Sequence, residues 1–332
     1  MRKLALSDEI LLKVDKAARY IGGEVNSVMK DKNEVEIRFA MCFPDVYEIG
    51  MSNLGMMILY NMFNQREDVW CERLFSPWPD LDKVMREQNI PLFALESQEP
   101  IRDFDFLGIT LGYEMCYTNI LQVLDLSGIP LKSADRGEDF PIVIGGGACA
   151  YNPEPLAPFF DMFYIGEGET VYDALFDAYK ANKKAGSSRR DFLLAAAKIP
   201  GIYVPSLYEV TYKEDGTIAS FAPTEAGVPE KVQKQLIIDM EKEYRAVEAP
   251  VVPHIKATQD RVTLEIQRGC IRGCRFSQAG MIYRPTRERD VETLKESARI
   301  MLKNTGHEEI SLSSLSTSHN SQLKQQENIL IE

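Results

Sequence analysis

The sequence is poor in cysteine and nearly devoid of histidine, with six of the first and three of the second in 332 residues. Thiols so few and so scattered do not make a secreted disulfide scaffold. His307 and His319 are single and out of register with any second zinc-binding pair. The start of the chain lacks a long apolar run, because charges recur every few residues, so neither a signal peptide nor a membrane span is legible there. A cytoplasmic protein without membrane contact is the expectation. No Ser-His-Asp set, P-loop or HExxH motif is present, which leaves hydrolase and kinase readings without support. No internal repeat is visible. The net charge of −12 argues against nucleic-acid binding by the surface as a whole.

What is present begins with an ordinary globular composition, 45% hydrophobic and 27% charged, in a chain long enough for about two domains. Charge reverses locally. Between Arg261 and Arg289 stand seven arginines against two glutamates, so an anionic ligand, RNA or a phosphorylated substrate included, and a solvated loop both remain open there.

Residues 1–34 read as a helical extension, with the helix over residues 8–20. Residues 35–199 alternate short apolar runs with amphipathic segments. Strands are expected at 35–43, 69–75, 91–95, 106–113, 141–146 and 161–166, and helices at 53–64, 80–88, 119–126 and 170–183. Strands apolar along their whole length, alternating with helices, imply a parallel sheet covered on both faces, a doubly wound α/β domain. Residues 200–250 read as a hairpin turning at Asp215-Gly216, followed by a charged connector. Residues 251–332 open a new βαβ unit, with strands at 261–270 and 308–316 around a helix at 289–304, and the polar tail beyond carries no pattern.

In such sheets ligands sit beyond the carboxyl ends of the strands. Three glycine-bearing loops fall there: residues 44–55 with Gly50, residues 145–153 with Gly146 and Gly147, and residues 166–169 with Gly166 and Gly168. Glycine admits close backbone approach to a bulky ligand, although tight turns alone also use it. Glu167 and Glu169, at the start of a helix, complement its dipole more simply than they form an acid–base pair.

Cys270 and Cys274 stand in a loop leaving a strand and are followed by Arg275-Phe276-Ser277. Paired thiols in such a loop fit part of an iron–sulfur site, while inert thiols and half of a zinc site stay open. The run RGCIRGCRFSQAGMIYRPTRER, together with PDVYEIGMSNLG, IGGGACAYNPEPLAPFFD and YIGEGE, resembles a family of uncharacterised radical S-adenosylmethionine (radical SAM) proteins with a cobalamin (B12)-binding-like front domain. The resemblance spans residues 20–317. It implies a Rossmann-like, B12-binding-like domain followed by the first βα units of a radical SAM (β/α) partial barrel. It also implies a 4Fe-4S cluster at Cys270, Cys274 and the third ligand position, S-adenosylmethionine with Phe276 against its adenine, an electron donor, and a 5′-deoxyadenosyl radical acting on an unknown substrate. Gly50, Gly146, Gly147, Gly166 and Gly168 would line the front-domain crevice. No catalytic residue is named by the resemblance.

This sequence departs from that family twice. The third cysteine is Ser277, whose hydroxyl stays protonated where a thiol ionises, making it a poor iron ligand. Only about two βα units follow Cys270, fewer than a barrel requires, so a fragment with impaired activity is expected. Cobalamin stays open as a further cofactor by fold-level analogy, beside packing against the barrel or another ligand, but Tyr47 stands where the cobalt-ligating histidine of an Asp-x-His-x-x-Gly loop would fall. The alternative is a non-catalytic corrinoid- or nucleotide-binding α/β module.

Overall fold

Strand β1 (Ile37–Phe43) is closed to solvent along its length, and its alternation sets the two-sided architecture. Ile37, Phe39, Met41 and Phe43 enter one apolar core, and Ala40 and Cys42 enter the other. A strand apolar on both faces is stable only with helices on both faces. In this computed structural model, which describes residues 3–244 and 246–331, those helices are present. Residues 1, 2, 245 and 332 of the segments read from sequence lie outside the described residues.

Chain order builds the front domain. A one-turn helix α1 (Asp8–Leu11) precedes β1, and a one-turn helix α2 (Tyr47–Gly50) and α3 (Leu54–Asn64) follow it. Then come β2 (Val69–Phe75), α4 (Pro79–Gln88), β3 (Phe106–Thr110), α5 (Tyr117–Leu126), β4 (Ile142–Gly146), β5 (Met162–Tyr164), α6 (Tyr172–Ala185), α7 (Arg189–Ala196) and β6 (Ile202–Tyr203). The sheet runs β2-β1-β3-β4-β5-β6, parallel except for the antiparallel β5–β6 edge. Chain direction across the sheet reverses between β1 and β3, the switch point at which doubly wound sheets open a crevice. Helices α3, α6 and α7 cover one face and α4 and α5 the other.

The expected doubly wound sheet is thus present, with local corrections. Residues 8–20 do not form one helix: Lys16 adopts a left-handed backbone (φ 51°), and Asp80 Oδ2 takes the Asp15 N–H, so tertiary contacts override local helicity. Residues 91–95 form no sheet strand. Leu92 to Leu95 are buried, but the Leu92 N–H and C=O pair with Leu126 and Ile101, making an apolar loop. The polar tail read as unpatterned forms a helix, α10 (Leu323–Ile331).

Strands β7 (Tyr208–Tyr212) and β8 (Ile218–Pro223) make the expected hairpin. Beyond the connector, β9 (Val262–Glu265) and β10 (Gln267–Arg268) lead to the cysteine loop, then to the one-turn helix α8 (Ala279–Ile282), β11 (Arg287–Glu288), α9 (Val291–Thr305) and β12 (Ile310–Ser313). Strand β12 pairs parallel with β9, as a βαβ unit requires. Val262, Leu264 and Ile266 pack on Leu294, Ala298 and Met301 of α9 in a small separate core. Among the described residues no helix is long and apolar enough to cross a membrane.

Candidate functional site

A cavity of about 600 Å³ lies between the front sheet and the β9–β12 pair. Its front wall comes from the carboxyl ends of strands and the loops beyond them: Thr110 at the end of β3 and Gly112 after it, Gly146 and Gly147 at the end of β4, and residues 166–169 after β5. Asn53 and Leu54, where α3 begins, border it too. Asn53 fixes that border because its Oδ1 accepts the Met56 N–H at 2.9 Å and caps the helix. The opposite wall is set by period-2 alternation in β9 and β10. Val262, Leu264 and Ile266 point into the core, so Thr263, Glu265 and Gln267 point into the cavity.

Four of the five glycines expected to line a crevice do so: Gly146, Gly147, Gly166 and Gly168. Gly50 does not. It packs under the Phe75 ring and against Phe43, where a side chain would clash, so its glycine serves core packing. Gly166, at φ +141°, lies against the backbone of Gln235 in the connector, so that glycine also serves chain-to-chain approach.

The arginine-rich stretch resolves into two populations. Arg268, Arg287 and Arg289 turn inward. Arg268 reaches Glu167 (3.1 Å), Glu169 (2.6 Å) and Glu265 (2.9 Å). Arg287 donates to both oxygens of Glu167 at 2.8 and 2.7 Å. Arg289 sits over the Tyr244 ring, 4.2 Å from its centre. Burial opposes the charge of Glu167, but Arg287 and Arg268 outweigh it and hold the carboxyl below its usual range. Glu167 and Glu169 therefore clasp the front domain to the cysteine-bearing segment, a role beyond the helix-dipole one expected of them. Arg261, Arg272, Arg275 and Arg284 stay exposed.

The cysteine loop begins at the cavity wall, because Gly269 lines the cavity and Cys270 follows it. Cys270 is half-buried and Cys274 exposed. The Ser277 N–H donates to the Cys274 carbonyl at 3.1 Å, and the Arg272 N–H donates to Cys270 Sγ at 3.4 Å. Phe276 is 93% exposed, so its ring lies free rather than against a wall. The remaining thiols, Cys42, Cys71, Cys116 and Cys149, belong to the front domain, where burial pushes each of them up. Among the described residues no three histidine, cysteine or acidic side chains form a group that could hold a metal ion. The donor set of the loop is two thiols and one hydroxyl, one thiolate short of the three that hold a SAM-binding four-iron cluster.

Tyr47, in the position of a cobalt-ligating histidine, does not line the cavity. Its hydroxyl donates to Glu24 at 2.8 Å and its ring packs edge-on to Phe75. That loop holds no histidine to ligate a cobalt.

Comparison with known proteins bears on the front domain first. Residues 55–205 match the family model described as radical SAM proteins, N-terminal. An uncharacterised protein of Methanocaldococcus jannaschii is 26% identical over 256 residues, covering 77% of this chain and 44% of that protein. Two structures of TsrM, a radical S-adenosylmethionine methyltransferase from Kitasatospora setae, are similar at TM-score 0.45. One holds tryptophan and a SAM analogue (14% identity, 89% of this chain, 50% of that one), the other cobalamin and a [4Fe-4S] cluster (13%, 90% and 50%). The chain spans about half the length of these proteins. The radical SAM resemblance carried by the sequence motifs thus has a matching family model over the front domain.

Glu265, Gln267 and Arg268 were not singled out from the sequence. The signal for the first two was available in the alternation of VTLEIQ, whose polar positions must face something other than the core.

Proposed function

We propose that this chain carries the cofactor-binding part of a radical SAM enzyme, with S-adenosylmethionine in the crevice and the 270–277 loop standing where the cluster-binding loop of such an enzyme falls, one ligand short. The substrate is undefined, and an electron donor would be an external partner in the cytoplasm. The observation that carries this reading is the continuity of the crevice wall with the loop, Gly269 passing directly into Cys270. The family match over residues 55–205 supports the same class.

The loop as it stands does not fit a four-iron cluster. A serine hydroxyl remains protonated at neutral pH, so the third position offers a weak donor where a thiolate is required. No step through a cluster is therefore assigned to this chain.

Ser277 favours a second reading, in which the front domain is a non-catalytic corrinoid- or nucleotide-binding module. Anaerobic reconstitution with iron and sulfide, run on the chain and on Ser277→Cys, separates the two. Uptake of about four irons per chain by the variant alone, with a reduced EPR signal that S-adenosylmethionine perturbs, supports the radical SAM scaffold disabled at one ligand. Uptake by neither chain favours the module.

A further inference from the structure

The back wall of the crevice has a chemical bias that no assignment so far uses. Gln267 is 1% exposed and lines the cavity. Among the described residues its Nε2 reaches only the Gly269 carbonyl, at 3.4 Å, and its Oε1 has no hydrogen-bond partner. A buried acceptor left unpaired is costly, and a ligand that donates to it removes that cost. Beside it stand Glu265 and Glu169, while Arg268, among the described residues the only cationic side chain on the lining, is already shared among Glu265, Glu169 and Glu167.

We propose that Gln267, Glu265 and Glu169 form a subsite for a ligand group that donates hydrogen bonds or carries positive charge, an ammonium or sulfonium, and that the crevice rejects phosphorylated ligands. A phosphate needs free cations or unpaired N–H donors. Arg268 would have to leave its carboxylates to supply the first. The start of α3 supplies some of the second, equivalent to about half a positive charge, but one of its amides is already taken by Asn53. Glu167, Glu169 and Glu265, set against Arg268 and Arg287, still leave a net negative charge there that opposes a phosphate.

The inference rests on the crevice being the cofactor site, and it separates the two readings of the front domain, since it disfavours a phosphorylated nucleotide. The test is equilibrium binding to the full chain without iron, so the cluster loop does not enter. Three probes are compared: S-adenosylmethionine, S-adenosylhomocysteine, which lacks the sulfonium charge, and adenosine triphosphate. The expected order is S-adenosylmethionine tightest and the triphosphate weakest. Gln267→Met, close in size and apolar, weakens S-adenosylmethionine by about tenfold, and Gln267→Glu widens its margin over the neutral probe, with the melting temperature of each variant confirming folding. Triphosphate binding as tight as S-adenosylmethionine, or no effect of either substitution, overturns the subsite and leaves the crevice as a ligand site. Binding of none of the three overturns the subsite together with the crevice reading.

Discussion

Arg268 Nη2 lies 2.6 Å from a carboxylate oxygen of Glu169, which it meets across 99 positions of sequence. Both side chains are nearly closed to solvent, at 10% and 4% exposure. Buried pairs contribute little beyond an apolar substitute of the same shape, but removal of one partner strands the other. Arg268→Ala leaves Glu169 and Glu265 without their shared cation and is expected to destabilise the chain by about 3 kcal/mol. Cleavage in the exposed 271–276 stretch should accelerate in limited proteolysis while the front domain persists. Arg268→Lys should recover only part of the loss, because an ammonium cannot serve three carboxylates in a planar fork. Unchanged urea denaturation and proteolysis of the alanine variant would show that the clasp does not hold the two parts together.

Gly166 and Gly146 both line the crevice but should respond oppositely to alanine. At Gly166 the backbone is at φ +141° and a Cβ would overlap the Gln235 backbone, so Gly166→Ala should cost about 2 kcal/mol or more. At Gly146 a Cβ would meet only the Tyr172 hydroxyl, at 4.0 Å, so Gly146→Ala should leave stability within about 0.5 kcal/mol and weaken only the ligand that approaches there. Thermal denaturation of the two variants side by side decides this. Equal loss at both positions would contradict the distinction.

Much of this fold is legible in sequence because burial on both faces writes strands as unbroken apolar runs. β1, β2, β3 and β4 stand where those runs predict them. The same signal misleads at residues 91–95, where a buried loop is just as apolar and the Leu92 backbone pairs outside the sheet. Residues 8–20 have a helical pattern that a distant acceptor, Asp80, interrupts at Asp15. The site is legible unevenly for the same reason. Cys270, Cys274 and the glycine loops declare themselves locally, whereas Glu167 and Arg287 meet across 120 positions and appear in sequence only as an acid at the start of a helix and one arginine among seven. Gly50 has the look of a ligand-loop glycine, and only the Phe75 ring above it reveals its packing role.

Phe276 offers a test in which stability and binding part company. At 93% exposure its ring stabilises nothing in this chain, so Phe276→Ala should change unfolding by less than about 0.5 kcal/mol. If adenine stacks on it when S-adenosylmethionine enters, the variant should lose about tenfold or less in affinity, as one aromatic contact is worth about 1 kcal/mol. Loss of stability without loss of binding would place the ring in the core instead.

The N-terminal segment is fastened to the crevice-side loop through Glu48, and that fastening should titrate. Arg19 donates to both oxygens of Glu48 at 2.9 Å, and Lys16 adds a third bond at 2.9 Å. Burial opposes ionisation of Glu48, but Arg19 and Lys16 outweigh it and pull its pKa down from 4.5 to about 2. A carboxyl with its folded pKa below its unfolded one binds more protons when unfolded, so stability rises with pH across the interval between the two. The contribution is complete above about 4.5 and is lost as pH falls toward about 2. Because Lys16 is half exposed and solvent screens the cluster, the contribution is put at about 1 kcal/mol. Urea denaturation of the chain and of Glu48→Gln should differ by that amount near neutral pH, with the difference shrinking steadily below pH 4.5. A difference that persists undiminished at the acid end would mean that Glu48 stabilises through packing and neutral hydrogen bonds, and that its charge is incidental.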